Sequence, residues 1–402
     1  MRPNRRSGPS EGPILVLDPI SRHALATVRG LGRAGWRVMV AGAERKGAAL
    51  AARSKYVEAY HRIPDPWGEA PPAEAALQDI IQRYGCQAVV PCYDGTIARL
   101  RGLTVGVPTV PRLDDALDRL TDKLDLGLVC SDASVMYPRT WPADATELIP
   151  TDVPLIVKPR RTAVARPDRV VSVTGASVTH DRHELAAAIN ALRSAELEPI
   201  VQIRVERTAK VNVSIVRNAG HTSFRIAYKV LREYPPEGGR AAATESLDPI
   251  RGVGARALDA AEQVCDAAQY AGLANVEFYV QSDGELCLIE VNTRVWGSLW
   301  FPEILGLRPI DRAVRDVLGY KAEAPLTYRP GRRFHRPTLE LRWLMSSSPE
   351  RGARRQLLAS LRPWDVFDLL SASDPLPVVA YVTERLQGAG HAIGAAITRR
   401  RH

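Results

Sequence analysis

The sequence predicts an α/β fold that passes into α+β. A small doubly wound, Rossmann-like domain spans residues 13–112, a larger α+β domain spans 113–324, and a basic extension fills 325–402. Three observations lead there. A βαβ pattern opens the chain, alternating strands that read as antiparallel pairs dominate after residue 200, and near residue 290 carboxylates sit inside apolar strands.

Residues 1–12 are polar with Gly and Pro and are expected to be a disordered arm. Ile14-Leu-Val-Leu17 reads as a strand. Ser21 suits the N-cap of a helix carrying Ala24, Leu25, Val28 and Leu31, Gly35 follows it, and Trp36 to Val40 is a second strand. A helix over 74–84 and a strand at Ala88-Val-Val-Pro91 continue the alternation. No G-x-G-x-x-G follows the first strand, which argues against a dinucleotide, but Asp18 and Asp94 lie at strand carboxyl ends, where such sheets bind ligands.

Beyond Pro108 and Pro111 the chain turns helical, with Leu113, Ala116, Leu117 and Leu120 at helix spacing and Asp122-Lys123 after them. Leu155-Ile-Val-Lys158 ends an apolar run on a lysine. A buried ammonium calls for an anionic partner, although a lysine snorkelling at a strand end fits equally well. A strand at 170–173, a helix over 181–194 and a strand at 199–205 follow. Residues 211–216 and 223–230 alternate and should pair around Asn218-Ala-Gly220. Helices are expected over 253–270, 311–318 and 351–361.

The chemistry concentrates in Asn275-Val-Glu277-Phe-Tyr-Val and Leu286-Cys-Leu-Ile-Glu290-Val-Asn292-Thr-Arg294. A turn at Asp283-Gly284 pairing Ser282 with Glu285 places Glu277 opposite Glu290, and alternation puts Asn292 on the face of Glu290. Facing carboxylates destabilise a ladder unless a positive group lies between them. Two carboxylates and an amide are hard oxygen donors that suit magnesium, with manganese also acceptable, and through it nucleotide phosphates.

Composition narrows the function. The chain has 402 residues, 45% hydrophobic and 25% charged, with no apolar run near ~18 residues and no apolar N-terminal segment. A cytoplasmic protein without a membrane span is expected. The five cysteines lack zinc or C-x-x-C spacing and read as buried thiols. The net charge of +9 comes largely from Arg-rich ends, and without a recognisable reader module it does not predict nucleic-acid binding.

In order along the chain stand Asp122-Lys123, Val157-Lys158-Pro159, Val201-Gln202, Lys229 before Pro235-Pro236, Glu277, and Glu290-Val-Asn292-Thr-Arg294. This series resembles the ATP-grasp superfamily over residues 13–320, on the branch of carbamoyl-phosphate synthase large chains and carboxylate-amine ligases. The resemblance implies an ATP-grasp fold behind an N-terminal pre-ATP-grasp domain, with ATP and magnesium bound. Lys123 and Lys158 would hold phosphates, and the hinge from Gln202 through Ile203 to Val205 would bond adenine. Lys229 would sit near the transferred phosphate, Glu277, Glu290 and Asn292 would hold magnesium, and Arg294 would steady the phosphorylated intermediate.

The implied reaction activates a carboxylate as an acyl phosphate for attack by an amine. The partners are then small acids and amines, amino acids or peptides among them, and a homo-oligomer is compatible with the resemblance. No glutamate stands four residues after Arg294, so biotin-dependent carboxylation is not expected. One departure leaves alternatives open. Where the family has a Gly/Ser-rich lid, this chain reads Arg160-Arg-Thr-Ala-Val-Ala-Arg-Pro167. A weakened MgATP-binding regulatory or scaffold protein, or an enzyme releasing an acyl or carbamoyl phosphate, would carry the same residues.

Overall fold

The computed structural model describes residues 12–43, 49–150, 152–218, 220–236, 238–321, 323–346, 357 and 361–383. The arm read at 1–12 and the helix read at 351–361 lie almost wholly outside the described residues.

The N-terminal part contains β1 (Ile14–Leu17), α1 (Arg22–Arg33), β2 (Val38–Gly42), β3 (Val57–Arg62), α2 (Ala70–Tyr84), β4 (Ala88–Val90) and α3 (Asp94–Leu100). The sheet is parallel throughout, in the order β3-β2-β1-β4. Every residue of β1 and β2 is buried, as continuous apolar runs in a parallel sheet require. Ser21 caps α1, its Oγ accepting from the Ala24 N–H at 2.9 Å. The helix expected at 74 starts at Ala70, because prolines in a first turn lose no helical hydrogen bond. β3, absent from the sequence reading, is a half-exposed edge strand with little apolar pattern.

Next come α4 (Asp115–Thr121), α5 (Lys123–Asp132), β5 (Thr140–Pro142), β6 (Leu155–Pro159), β7 (Ala163–Ala165), β8 (Val170–Ser172), β9 (Ser177–Thr179), α6 (Arg182–Ser194) and β10 (Pro199–Ile203). Asp122 interrupts the helical run: its side chain caps the start of α5, so Lys123 becomes the first residue of that helix. A four-stranded sheet, β5-β10-β6-β9, buries Val157 and Val201 against Ile189 and Leu192 of α6. In the segment where the resemblance leads one to expect a glycine-rich lid, β7 and β8 pair as an antiparallel hairpin. It is tied to the N-terminal part, with Val170 N–H donating to the Trp67 carbonyl at 2.8 Å and Arg99 to the Arg166 carbonyl at 2.8 Å.

The remaining elements are β11 (Ala209–Asn218), β12 (His221–Tyr234), β13 (Arg240–Ser246), α7 (Gly252–Ala267), β14 (Gly272–Val280), β15 (Leu286–Asn292), α8 (Trp300–Ile304), α9 (Pro309–Val317), β16 (Arg333–His335), α10 (Pro337–Ser346) and β17 (Val366–Phe367). Seven strands form one sheet in the order β15-β14-β11-β12-β13-β16-β17. β16 and β17 thus carry the basic C-terminal stretch into the main sheet. One sheet face packs Val213, Val276, Phe278 and Leu288 against α7. The other shares a core with the N-terminal part, where Phe224, Ile226 and Phe301 meet Leu25, Val28 and Val40.

That shared core is closed by polar bonds at its edges. Arg29, 1% exposed, donates to Asp374 at 2.8 Å, Arg22 bonds Asp368, and Trp36 Nε1 donates to Asp311 at 2.7 Å. Glu303 on α8 accepts the Ile310 N–H of α9 at 3.0 Å, and α1 passes so close that a Cβ on Gly30 would lie 2.7 Å from the Glu303 carboxyl carbon. Burial, with Asp311 adding to it, pushes the Glu303 carboxyl up to about 8.

Candidate active site

The β14–β15 hairpin brings Glu277 opposite Glu290 as expected, but by a different route. The turn pairs Gln281 with Glu285, not Ser282 with Glu285, so the ladder starts one residue out of the expected register. A bulge between Glu277 and Phe278 on one strand, spanning Ile289 on the other, restores it. This displacement matters for direction. Strict alternation would set Glu290 on the core face with Leu286 and Leu288; the extra residue turns Glu290 and Asn292 to the face of Glu277.

Across the sheet the same row continues through Asn212 on β11 and Tyr228 on β12. The Tyr228 hydroxyl joins the neighbouring row, donating to Asn275 Oδ1 at 2.7 Å and meeting Ser298 Oγ at 2.9 Å and Ser214 Oγ at 3.1 Å. These bonds fix the floor. Glu277 accepts from Asn292 Nδ2 at 3.4 Å, and Asn292 Oδ1 accepts from Arg294 at 3.2 Å.

Cations arrive from three directions. Lys123, at the head of α5, is 5% exposed and lies 3.4 Å from both the Arg160 carbonyl and Thr162 Oγ1. Lys158, from β6, is 8% exposed, and its ammonium is 3.5 Å from the Ile289 carbonyl. Burial, then the charge of Lys123, push Lys158 down to about 8, with Glu290 and Glu277 opposing. Burial likewise lowers Lys123, while Glu290 and Asp94 resist. Arg294 donates to Asp94 Oδ2 at 2.7 Å, which ties the hairpin to the start of α3. Asp18 supports that corner by accepting the Cys92 and Tyr93 N–H groups at 2.9 and 3.0 Å.

Lys229 does not join them. It stands opposite Val211, which in turn faces Phe278, so it lies on the sheet face away from Glu277, and it is exposed. The lysine that the sheet delivers is Lys210, which the sequence reading passed over. Its Nζ is 2.6 Å from Glu277 and 3.4 Å from Glu233. Burial would lower this ammonium, and the two carboxylates outweigh it, so its pKa is raised. The available signal was parity: Lys210, Asn212 and Ser214 share one face of an alternating strand.

At the hinge, Gln202 is buried and donates to Thr140 Oγ1 at 2.7 Å. The Ile203 and Arg204 N–H groups donate to the carbonyls of Arg139 and Pro154 at 3.0 and 3.1 Å. The Val205 N–H has no backbone partner among the described residues. In the lid, Arg160 and Arg161 both bond Asp122, at 2.8 and 3.1 Å. Burial would raise the Asp122 carboxyl, and these two guanidinium groups hold it below its ordinary value.

The donor set suits a hard divalent cation. Among the described residues Glu290 has no ion pair or hydrogen bond, although its carboxylate faces that of Glu277, so a compensating charge fits between them. Among the described residues no three His, Cys, Asp or Glu side chains converge to hold a metal ion; the amide of Asn292 stands beside the two carboxylates.

Comparison with known proteins agrees with this geometry. Residues 255–302, from α7 through both carboxylate strands, match the family model described as carbamoyl-phosphate synthase L chain, ATP binding domain. No curated protein sequence matches the chain significantly. Among solved structures, an L-amino acid ligase from Bacillus licheniformis is similar at 14% identity and a TM-score of 0.59, over 81% of this chain and 79% of that one. The N5-carboxyaminoimidazole ribonucleotide synthetase purK, solved as an ADP complex, gives 13% identity and a TM-score of 0.63 over 81% and 82%. The biotin carboxylase domain dimer of Hydrogenobacter thermophilus 2-oxoglutarate carboxylase, solved with MgADP and bicarbonate, gives 14% and 0.61 over 81% and 74%.

The chain has the ATP-grasp fold. The matched segment is the one that supplies its paired carboxylates, Asn292 and Arg294. Among the described residues, no helix is long and apolar enough to cross a membrane.

Proposed function

We propose that this protein is an ATP-dependent ligase that activates a carboxylate for attack by an amine. The observation that carries the proposal is the convergence of Lys123, Lys158 and Arg294 on the facing pair Glu277 and Glu290. The ADP-bound and ligase structures sharing the fold support it.

In this reading Glu277, Glu290 and Asn292 hold magnesium, which would neutralise charge on the nucleotide phosphates. Lys123 and Lys158 neutralise the phosphate oxygens, and the half-exposed hinge presents the Val205 N–H to adenine. The substrate carboxylate attacks the γ-phosphorus, and the bond to the β,γ-bridging oxygen breaks, releasing ADP. A neutral amine then attacks the acyl carbon, phosphate leaves, and the amine nitrogen loses a proton. Phosphoryl transfer of this kind needs placement and charge neutralisation more than covalent participation, which matches a site rich in Lys and Arg. Lys210 stays paired to Glu277 and sets its orientation. Lys229 has no part in this reading.

The test is product analysis with MgATP and mixtures of amino acids. Phosphate and ADP should appear together with a condensed product, and Glu290→Gln should suppress both. Release of AMP and pyrophosphate would rule the acyl-phosphate route out. A second reading, nucleotide binding without turnover, draws support from the lid hairpin fixed to Trp67 and Arg99. ADP formation in a single turnover would dismiss it.

A further inference from the structure

Beside the paired carboxylates lies a group of guanidinium side chains that nucleotide binding does not use. Arg336, from the turn between β16 and α10, is 8% exposed. Its Nε is buried without a hydrogen-bond partner among the described residues. Its side-chain contacts are long: NH1 lies 3.5 Å from the Ala241 carbonyl, and Nε itself 3.6 Å from the Asp368 carboxylate. Asp368 is itself bonded to Arg22.

The guanidinium lies against the Trp296-Gly297-Ser298 turn that follows Arg294. A Cβ on Gly297 would stand 3.1 Å from its NH1. Glycine at this position therefore leaves room for Arg336 to reach the site.

Two further cations share the space. The charges of Arg294, Arg336 and Arg240 all act on His23, and together with its burial they push that imidazole down to about 3. His23 is neutral at physiological pH and supplies no counter-charge. The carboxylates bonded within this group are Asp94, to Arg294, and Asp368, to Arg22. Asp368 is shared between Arg22 and Arg336, so one carboxylate serves two guanidinium groups, and burial, with the charges of Arg22 and Arg240 against that of Asp368, holds Arg336 below its ordinary pKa. A buried guanidinium with an unbonded N–H is costly unless an anion meets it.

We infer that the Arg336–Arg240 corner beside the Gly297 turn is a substrate subsite for a second anionic group, so that the acid taken up is a dianion, dicarboxylic or phosphorylated. Resting on the ligase reading above, this assigns the substrate's activated carboxylate to Arg294 and its remote anion to Arg336. A planar guanidinium whose N–H groups are held only by long contacts donates to a carboxylate or phosphate through two parallel bonds. The basic C-terminal stretch then contributes a specificity residue.

The experiment is calorimetric titration of the full chain saturated with MgADP, using succinate, glutarate and phosphonoacetate against butyrate. The dianions should bind at least about tenfold more tightly than butyrate. Arg336→Met should weaken dianion binding about 10- to 100-fold, the loss of a charge-assisted bond, and leave MgADP affinity unchanged. Arg240→Met, at the exposed start of β13, should weaken it in the same direction and guards against misfolding of the buried variant. Preference for succinate over phosphonoacetate would identify a carboxylate as the remote group, and the reverse a phosphate.

Butyrate binding as tightly as succinate, no dianion binding by the wild type, or unchanged affinity in both variants overturns the inference. Failure of the wild type to bind MgADP overturns the ligase reading instead. The anion titrations are then read without nucleotide.

Discussion

Glu303 offers the most quantitative test of how the two halves are held together. Its carboxyl is buried between α1 and α9, 6% exposed, with a pKa raised from 4.5 to about 8. The folded state therefore holds a proton that the unfolded chain releases above pH 4.5, and between 4.5 and 8 stability falls as pH rises. The 3.5-unit difference corresponds to about 5 kcal/mol once both limits are passed. From pH 6 to pH 8 the same relation gives a loss of about 2 kcal/mol from this one group.

Glu303→Gln keeps an acceptor for the Ile310 N–H and removes the titration. Its stability relative to wild type should rise by about 2 kcal/mol between pH 6 and pH 8. Urea denaturation of both proteins at the two pH values measures this, since other titrating groups cancel in the difference. A gap that stays constant within about 0.5 kcal/mol would show that Glu303 ionises normally and that the packing argument fails.

Two other outcomes follow from the ion pairs. Lys158→Met should weaken MgADP binding about 10- to 100-fold in calorimetry, because it removes a buried cation that the proposed function sets against phosphate. Asp374→Ala strands Arg29 without its buried partner and should cost about 3–5 kcal/mol in urea denaturation.

What the sequence disclosed was local, and what it hid was pairing at a distance. Glu277 and Glu290 stood out because carboxylates inside apolar strands are a pattern readable within twenty residues. Their facing arrangement also followed from the hairpin, although the bulge at Ile289 that turns Glu290 to the site left no local mark. The exchange of Lys229 for Lys210 has the other cause. The pairing of β11 with β14 joins segments about sixty residues apart, and nothing within either strand fixes which lysine meets Glu277. Arg336 was equally hidden, since its meaning lies in the Gly297 turn and in counter-ions from other elements.

The partners of Arg29 and Arg22 have a consequence for the order of synthesis. Asp374 lies 345 residues after Arg29, and Asp368 lies 346 after Arg22. A ribosome must pass Asp374 before Arg29 meets its counter-ion, and Asp368 before Arg22 does. Until then α1 carries two guanidinium groups toward a core that cannot close over them, since burying them unpaired is prohibitive. The parallel sheet made first is therefore finished last. The same delay holds back Asp368, the carboxylate that Arg22 and Arg336 share, until the residues after β17 arrive.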